Sequence, residues 1–304
     1  MKVAVVAHVG KTLGGGLAEL RQSLSDNGVT EPIWSEVAKS RYAPKRVRQA
    51  INDGAKLIVV WGGDGMVQQC IDVVAGTDVA LAIIPAGTAN LLATNLNIPL
   101  DIGESVRIAL HGVRRRLDVG RINGECFAVM GGAGFDGVLM ADVSTADKEH
   151  LGRVAYMRSS VKAIKAKRAK TDIRVDGARW YSGPASCVLV GNVGTVTGGL
   201  RVFDGAKPDD GLLDVGVVSA EGFAQWARVL GRVVARAEID HSPFVQSTKA
   251  SKIDVRFDRK MPYEIDGGAR KKTRELKIRV RPHAVIVCVP EAATATSSAP
   301  AVAM

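Results

Sequence analysis

The sequence predicts an α/β protein in which a parallel-sheet domain precedes a β-rich antiparallel sandwich domain with inserted helices. Strand and helix patterns alternate through the first third of the chain, whereas short strands follow one another after Arg116. The 304 residues are 46% hydrophobic and include 33 glycines, enough apolar residues and turns for two domains. We therefore expect domains at 1–117 and 118–290 and a disordered tail at 291–304.

The first part of the chain carries clear strand and helix signals in turn. Strands are predicted at KVAVVAHV, PIWSEVA, KLIVVW and VALAIIP. Gly28 is suited to end the first helix, Pro44 suits the first turn of the second, and Asp101 and Glu104 have the spacing of a capping box. This alternation predicts a parallel sheet with helices on both faces.

The second part reads as hairpins and further strands. Asn123-Gly124 and Asp176-Gly177 are typical two-residue hairpin turns between apolar runs. Further strands are predicted at LLDVGVVSA, KIDVRFDR, ELKIRVR and HAVIVCV, with helices at about 137–149, 151–168 and 221–237. Short connections of this kind predict antiparallel pairing.

Composition places limits on location and partners. Four widely spaced cysteines lie in or beside apolar runs, which indicates buried free thiols and a reducing, cytoplasmic compartment. No stretch approaches the roughly 20 apolar residues of a membrane span. The net charge of +10 favours nucleotides, anionic lipid surfaces or nucleic acid as partners. Nucleic acid is disfavoured because the four tryptophans and four tyrosines are scattered.

The stretch VVWGGDGMVQQC places glycines and a carboxylate at the end of a buried strand. Gly62, Gly63, Asp64 and Gly65 precede a helix, where backbone N–H groups and the helix dipole favour an anion. A tight turn that needs glycine for conformational reasons is the alternative.

A second stretch, IIPAGTANLLATNLNIP, repeats this arrangement. It ends another buried strand, and Thr88 and Asn90 are good helix caps. If the two strands are neighbours in the parallel sheet, both loops face one crevice, which favours phosphate binding. Neither loop fits the Walker or the Rossmann pattern.

These stretches resemble the catalytic domain of the diacylglycerol kinase family of lipid kinases, which includes bacterial lipid kinases and sphingosine kinases. The resemblance continues in order through GAGFDG, VGNVGTVTGGL, AKPDDGLLDV and YEIDGG, and the similarity is closest to actinobacterial-type members. It implies a nucleotide-binding domain, a β-rich domain and ATP in the cleft between them. The implied activity is transfer of the γ-phosphoryl of ATP to a lipid hydroxyl with Mg²⁺.

The resemblance also implies roles for particular residues. Asp64 would act near the reacting hydroxyl, as base or through Mg²⁺, and Asp266 would support catalysis. The nucleotide contacts would come from Gly62, Gly63, Gly65, Gly87, Thr88 and Lys11. For Lys11, whose surroundings AHVGKT depart from the family's usual Asn-Pro, a solvated lysine is the alternative.

KPDDGLLD resembles the family's structural metal loop. By position, Asp210 and the Leu212 carbonyl would be ligands of Mg²⁺ or Ca²⁺, and Asp214 would join their network. The alternative is an acidic surface turn. Asp136 matches a position that meets the lipid head group in the family, with a helix N-cap as the alternative.

The chain departs from the family's pattern in two places. In the first glycine loop, Met66 replaces a hydroxyl residue, and Gln68-Gln69 occupy the place where an acid commonly follows. The late motif reads Asp266-Gly267-Gly268, where the family carries an acidic residue at the third position. Loss of a catalytic carboxylate could cost roughly 10²–10⁴ in rate. Asp64 and Asp266 could suffice, Glu264 could substitute if the strand continues through residue 268, or the protein could bind nucleotide or lipid with weakened catalysis.

A lipid substrate requires contact with a membrane surface. RVAYMRSSVKAIKAKRAK is basic and amphipathic, so it could dock on anionic lipid as a peripheral element or pack its apolar stripe on the core. Diacylglycerol, a sphingoid base, a monoacylglycerol and phosphatidylglycerol remain open as substrates. An NAD kinase shares the glycine loop but matches the later motifs less well. The family's dimers make a homodimer a further expectation.

Overall fold

The computed structural model describes residues 1–134, 168–196, 199–235 and 242–291. The chain divides into two compact units, Met1–Arg116 with Val285–Met304 and Leu117–Ala284. The predicted helices at 137–149 and 151–168 lie outside the described residues, apart from Arg168, as do Asp136 and nearly all of the predicted tail.

The first unit is an α/β layer structure. Its strands are β1 (Val3–His8), β2 (Ile33–Val37), β3 (Leu57–Gly62) and β4 (Ala80–Pro85). Its helices are α1 (Gly16–Asp26), α2 (Ala43–Asn52), α3 (Asp64–Val74), α4 (Leu91–Asn95) and α5 (Ile102–His111), with a 3-10 turn at Ser40–Tyr42. The strands pair in parallel in the order β4-β3-β1-β2, as the alternation predicted.

Local signals explain where these elements begin. Pro44 lies in the first turn of α2, and the Asp101 carboxylate accepts a 2.8 Å hydrogen bond from the Glu104 N–H at the start of α5. Strands β3 and β4 are buried along their whole length. Leu20 and Leu24 of α1 pack into the same core, so the apolar strands hold the helices against the sheet.

The second unit is built from antiparallel strands. They are β5 (Val113–Ile122, which begins in the first unit), β6 (Glu125–Phe127), β7 (Met130–Ala133), β8 (Ala169–Val175), β9 (Ala178–Ala185), β10 (Cys187–Gly191), β11 (Thr195–Val196), β12 (Leu200–Arg201), β13 (Leu213–Val218), β14 (Val245–Ala250), β15 (Lys252–Ile265) and β16 (Gly268–Val289). Helix α6 spans Gly222–Ala235. Strands β14, β13, β10, β7, β15 and β16 are neighbours in that order, and β8 and β9 extend the sheet from β15.

Both predicted hairpin turns are present. Asn123 and Gly124 have φ of 49° and 104°, and Asp176 and Gly177 have φ of 49° and 90°. Positive φ at both central residues matches the right-handed twist of the flanking strands. The fold class predicted from the sequence is therefore confirmed in both of its parts.

The end of the chain differs from the predicted division at residue 290. Ile286 and Val287 of β16 pair in parallel with Ala80 and Leu81 of β4, so the last strand residues belong to the first unit. Val287, Cys288 and Val289 of this segment are fully buried, and Ile286 is half-buried. Among the described helices, none is long and apolar enough to cross a membrane.

The four cysteines are free and buried, as predicted. Burial in apolar surroundings raises the pKa of Cys70 to about 12 and that of Cys288 to about 11. Thiols with such pKa values carry almost no thiolate, so they serve packing.

Candidate functional site

The two glycine loops follow neighbouring strands. Residues Trp61 and Gly62 of β3 lie opposite Ile84 and Pro85 of β4 in parallel register. Because the carboxyl ends of parallel strands meet at one edge of the sheet, the loops that follow must emerge side by side. The predicted juxtaposition is confirmed.

Close contact explains why Gly62, Gly63 and Gly87 are glycines, whereas Gly65 has open space beside it. A Cβ atom on Gly87 would lie 2.3 Å from the Cα of Gly63, and a Cβ on Gly62 would lie 2.9 Å from the sulfur of Met66. A Cβ on Gly65, which is exposed at the start of α3, would meet nothing within 4 Å. Gly63 and Gly87 therefore bring the two loops together, while Gly65 leaves backbone open at a helix N-terminus, where an anion is favoured.

Asn90 organises the second loop. Its side-chain nitrogen donates to the carbonyls of Pro85 (3.0 Å) and Gly87 (2.9 Å), and its side-chain oxygen accepts from the Gly87 N–H (2.9 Å). The residue itself adopts the left-handed conformation with φ of 49°. The predicted capping role of Asn90 is wrong, because these bonds to its own loop occupy the side chain.

Asp64 takes over the capping of α4. One of its carboxylate oxygens, Oδ1, accepts a 2.6 Å hydrogen bond from the N–H of Leu91, the first residue of α4. Asp64 is also the first residue of α3, so the same carboxylate joins the starts of the helices that follow both glycine loops. It lies half-buried at the junction of the loops.

The environment of Asp64 favours its protonated form. Burial raises the pKa of the carboxyl above its ordinary value, and hydrogen bonds from the backbone at Leu91 and Leu92 only partly oppose this. A carboxyl with a raised pKa can accept a proton from a hydroxyl more readily than a solvated aspartate, and its oxygens are suitable ligands for a hard cation.

Lys11 and Thr88 border the same edge. Lys11 follows β1, which is the other neighbour of β3, and its carbonyl accepts a 3.2 Å hydrogen bond from the indole N–H of Trp61. Thr88 is exposed between Gly87 and Asn90. The fold thus places residues of three strand-to-helix loops at one end of the first unit's sheet.

Asp266 has a different setting, in the second unit. It begins a two-residue turn between β15 and β16, with φ of 42°, and is only 5% exposed. Its carboxylate accepts three backbone hydrogen bonds, from the N–H groups of Ala128 (2.9 Å), Val129 (3.1 Å) and Met130 (2.9 Å). Asp266 therefore anchors the bend between β6 and β7.

This turn also changes the expectation for Glu264. Ile265 and Gly268 are opposite each other in the hairpin, and Asp266 and Gly267 form its turn. The strand does not continue through residue 268, so residues 264, 266 and 268 do not alternate along one extended face.

A guanidinium group occupies the space beside Gly268. A Cβ on Gly268 would lie 2.6 Å from a terminal nitrogen of Arg270, which donates to the Gly268 carbonyl at 2.9 Å. Two other nitrogens of Arg270 contact the Glu125 carboxylate at 2.8 and 2.7 Å. An Arg270–Glu125 ion pair therefore lies beside the position where the family pattern has an acid, and the sequence did not indicate this pair.

The predicted metal loop precedes β13. The Asp210 carboxylate accepts from the Leu212 N–H at 3.1 Å and from the ammonium group of Lys249 at 2.9 Å. The Lys249 ammonium also lies 3.7 Å from the Asp214 carboxylate. Burial alone would lower the pKa of Lys249, but the two carboxylates outweigh it and raise the pKa. Within the described ranges, no three acidic, histidine or cysteine side chains form a metal cluster.

Asp118 holds the other side of this loop. Its fully buried carboxylate accepts from the N–H of Gly211 and from that of His283, each at 2.7 Å, and its own N–H donates to the Pro208 carbonyl at 2.6 Å. Neither Asp118 nor Lys249 was predicted from the sequence. The available signal for Asp118 was its place between the apolar residues Leu117 and Val119 of a predicted strand, whereas Lys249 had none.

Comparisons with known families agree with the motif order. Residues 8–122 match the model described as diacylglycerol kinase catalytic domain, and residues 130–289 match the YegS C-terminal NAD kinase beta sandwich-like domain. A diacylglycerol kinase of Bacillus subtilis strain 168 is 30% identical over 219 residues, which cover 69% of this chain and 70% of that protein. A diacylglycerol kinase of Mycobacterium tuberculosis H37Rv is 27% identical over 252 residues, covering 81% and 79%.

Solved structures show the same architecture. A diacylglycerol kinase from Bacillus anthracis superposes with a TM-score of 0.76 at 23% identity, covering 96% of this chain and 97% of that one. An NAD kinase from Archaeoglobus fulgidus in complex with ATP superposes with a TM-score of 0.53 at 13% identity, covering 96% and 95%. At these identities the likeness concerns the fold alone.

Proposed function

The chain belongs to the diacylglycerol kinase family of lipid kinases, and on that premise we propose that it transfers the γ-phosphoryl group of ATP to a lipid hydroxyl. The family's members are phosphotransferases that use ATP and an alcohol acceptor. Diacylglycerol is the first substrate to consider, because the Bacillus subtilis and Mycobacterium tuberculosis relatives are diacylglycerol kinases. A sphingoid base, a monoacylglycerol and phosphatidylglycerol are the other candidates.

The position of Asp64 carries this proposal. Its carboxylate lies where the two glycine loops meet, and burial raises its pKa. We assign Asp64 to the acceptor hydroxyl, where the carboxylate would take the proton as the oxygen attacks phosphorus.

The nucleotide would be held by the loops around Asp64. The backbone of Gly62, Gly63 and Gly65 would approach the phosphates, with the N-terminus of the 11-residue helix α3 contributing its dipole. Gly87 and Thr88 would line the pocket, and the Lys11 ammonium would offset phosphate charge.

Mg²⁺ fits this arrangement as a cofactor. In kinases this ion takes one or two carboxylates and completes its ligands with substrate phosphates, so Asp64 could supply the protein ligand. When bound, Mg²⁺ would neutralise charge on the transferred phosphoryl group.

The acceptor implies a membrane partner. A lipid substrate resides in a bilayer, and the chain carries a net charge of +10, which favours anionic lipid surfaces. We propose peripheral docking of a cytoplasmic protein, with the basic stretch of residues 153–170 as the first segment to test. We also propose that the protein forms a homodimer.

One observation favours a second function, in which the protein binds nucleotide or lipid but transfers phosphate poorly. Gly268 lacks the acidic side chain of the family's pattern, and the Arg270 guanidinium, paired with Glu125, fills the space beside it. A cation there would not act as base or Mg²⁺ ligand.

One experiment distinguishes an active lipid kinase from a protein that binds nucleotide or lipid but transfers phosphate poorly. Phosphoryl transfer from γ-labelled ATP to the four lipid classes is measured in mixed micelles with Mg²⁺, using the native chain, Asp64→Asn and Gly268→Asp. In Gly268→Asp, the terminal nitrogen of Arg270 must move, and we expect a new carboxylate–guanidinium pair there. If Asp64 suffices, the variant should change the native rate by less than about tenfold, or about 1.4 kcal/mol.

Each outcome assigns the function. A labelled lipid from the native chain that disappears in Asp64→Asn supports the kinase and names its substrate. Product from Gly268→Asp alone supports a kinase fold whose catalysis is weakened by the missing acid. No product from any chain, with ATP and lipid binding intact by calorimetry, would overturn the kinase and leave the binding function.

A further inference from the structure

The loop that resembles a metal site surrounds an ammonium group. Lys249 Nζ donates to the Asp210 carboxylate at 2.9 Å and to the Gly205 carbonyl at 3.1 Å, and it lies 3.7 Å from the Asp214 carboxylate. The side chain of Lys249 is 34% exposed, that of Asp210 is 24% exposed and that of Asp214 is 12% exposed. Oxygen atoms of the kinds that ligate Mg²⁺ or Ca²⁺ therefore converge on a side-chain cation.

The backbone sets this position. Lys249 of β14 is directly opposite Asp214 of β13 in the antiparallel register, so their side chains emerge on the same face of the sheet. Asp210 lies in the loop that leads into β13. The lysine thus reaches this loop from a strand distant in sequence, with its stem fixed by the β13–β14 ladder.

The distances suit an ammonium group. Nitrogen-to-oxygen separations of 2.9 and 3.1 Å are hydrogen bonds, whereas Mg²⁺ and Ca²⁺ hold oxygens at about 2.1 and about 2.4 Å. A divalent ion among the same oxygens would face the positive charge of Lys249 at short range, so it could enter only if the lysine left. The residues present therefore do not fit a metal ion while Lys249 holds this position.

We propose that the Lys249 ammonium group serves as the built-in cation of this loop, so that the loop folds without Mg²⁺ or Ca²⁺. The Asp118 carboxylate complements it by accepting the Gly211 N–H on the loop's other side. One cation and one anion supplied by the chain itself would hold the loop. This inference is independent of the proposed kinase activity.

The test is thermal unfolding of the full chain without nucleotide, in chelator, in Mg²⁺ and in Ca²⁺. The variants are Lys249→Met, which keeps the stem and removes the charge, and Lys277→Met as the matched control. Lys277 is 63% exposed and its ammonium is 3.9 Å from the Glu275 carboxylate. All chains also carry Asp64→Asn, so that a metal at the glycine loops does not contribute.

For the parent chain, which carries only Asp64→Asn, we expect the same Tm in chelator, in Mg²⁺ and in Ca²⁺. Lys277→Met should likewise show no dependence of its Tm on metal. Lys249→Met should have a lower Tm in chelator, because Asp210 and Asp214 then repel each other, and should regain stability in a saturable way with Mg²⁺ or Ca²⁺. Calorimetric titration should show metal binding to Lys249→Met alone.

Two results would overturn the proposal. One is a chelator-induced fall in the Tm of the parent chain, which carries Asp64→Asn alone, or near-stoichiometric metal in that chain by elemental analysis. The other is a Lys249→Met protein whose Tm and metal response match those of Lys277→Met. If Lys249→Met fails to fold in chelator, recovery of folded protein on adding metal supports the proposal. Bound metal in the parent chain would overturn the proposal in that case too.

Discussion

Asp64 and Asp266 both lie in glycine-containing turns, yet the structure surrounds them differently. Asp64 is half-buried at the meeting point of two loops, where its carboxylate accepts a 2.6 Å hydrogen bond from the Leu91 N–H and burial outweighs the backbone hydrogen bonds to raise its pKa. Asp266 is nearly inaccessible and accepts from three successive backbone N–H groups. A carboxylate whose lone pairs are engaged in this way stabilises a bend, whereas one held at an open loop junction can act on a ligand.

The largest expected effect is the loss of catalytic rate on substitution of Asp64, and it tests the contrast between Asp64 and Asp266. Asp64→Asn keeps an oxygen that can accept the Leu91 N–H but removes the base and the negative charge. We expect lipid phosphorylation to fall by roughly 10²–10⁴ while the thermal unfolding midpoint stays close to that of the native chain. Initial rates and a thermal melt of the same preparations measure both. A stability loss as large as the rate loss would assign Asp64 a structural role instead.

The next effect concerns stability at Asp266. Asp266→Ala leaves three buried N–H groups without an acceptor, and we expect a loss of about 3 kcal/mol or more in the free energy of unfolding. Asp266→Asn retains one oxygen and should lose less. Urea unfolding of both variants beside the native chain gives these values. If the folded variants were inactive at unchanged stability, Asp266 would belong to the catalytic machinery and the contrast with Asp64 would fail.

The smallest effect is a pH dependence that only Asp64 should show. Since burial raises the folded pKa of Asp64, its ionised form is lost on acidification at a higher pH than for an ordinary aspartate. The value of kcat/KM should therefore decline as pH falls through that raised pKa. Because the pKa of Asp64 is higher in the folded than in the unfolded state, protonation of Asp64 stabilises the folded state at pH values below the unfolded pKa. This contribution to the free energy of unfolding is lost as pH rises through the folded pKa.

The control for this profile is Asp64→Asn, whose residual rate should lack the acid limb. An acid limb that persists unchanged in Asp64→Asn would assign the titration to another group.

Much of the fold was predictable from local signals. The buried strands, Pro44 and Asp101 at helix starts and the two hairpin turns are encoded by a few neighbouring residues, because helix caps and tight turns depend on short-range geometry. The pairing of the glycine loops was also predictable, since parallel strands that follow each other along the chain are often neighbours.

The roles of several polar side chains were not predictable in this way. Asp266 contacts the backbone of residues 128–130, and Arg270 pairs with Glu125, across long sequence separations. Asn90 looked like a helix cap but binds its own loop because its backbone adopts the left-handed conformation. Such partners depend on register and backbone conformation that no local pattern specifies.

The sequence by itself determined the α/β and β-rich parts, their order and the loops that identify a lipid kinase family, because these depend on periodicity and short motifs. Only the tertiary structure decided that Asp64 joins two helix starts, that Asp266 anchors a bend, that the last strand returns to β4 and that Lys249 lies opposite Asp214. Each of these requires segments far apart in the chain to meet in one register, and that register is set by packing of the whole sheet.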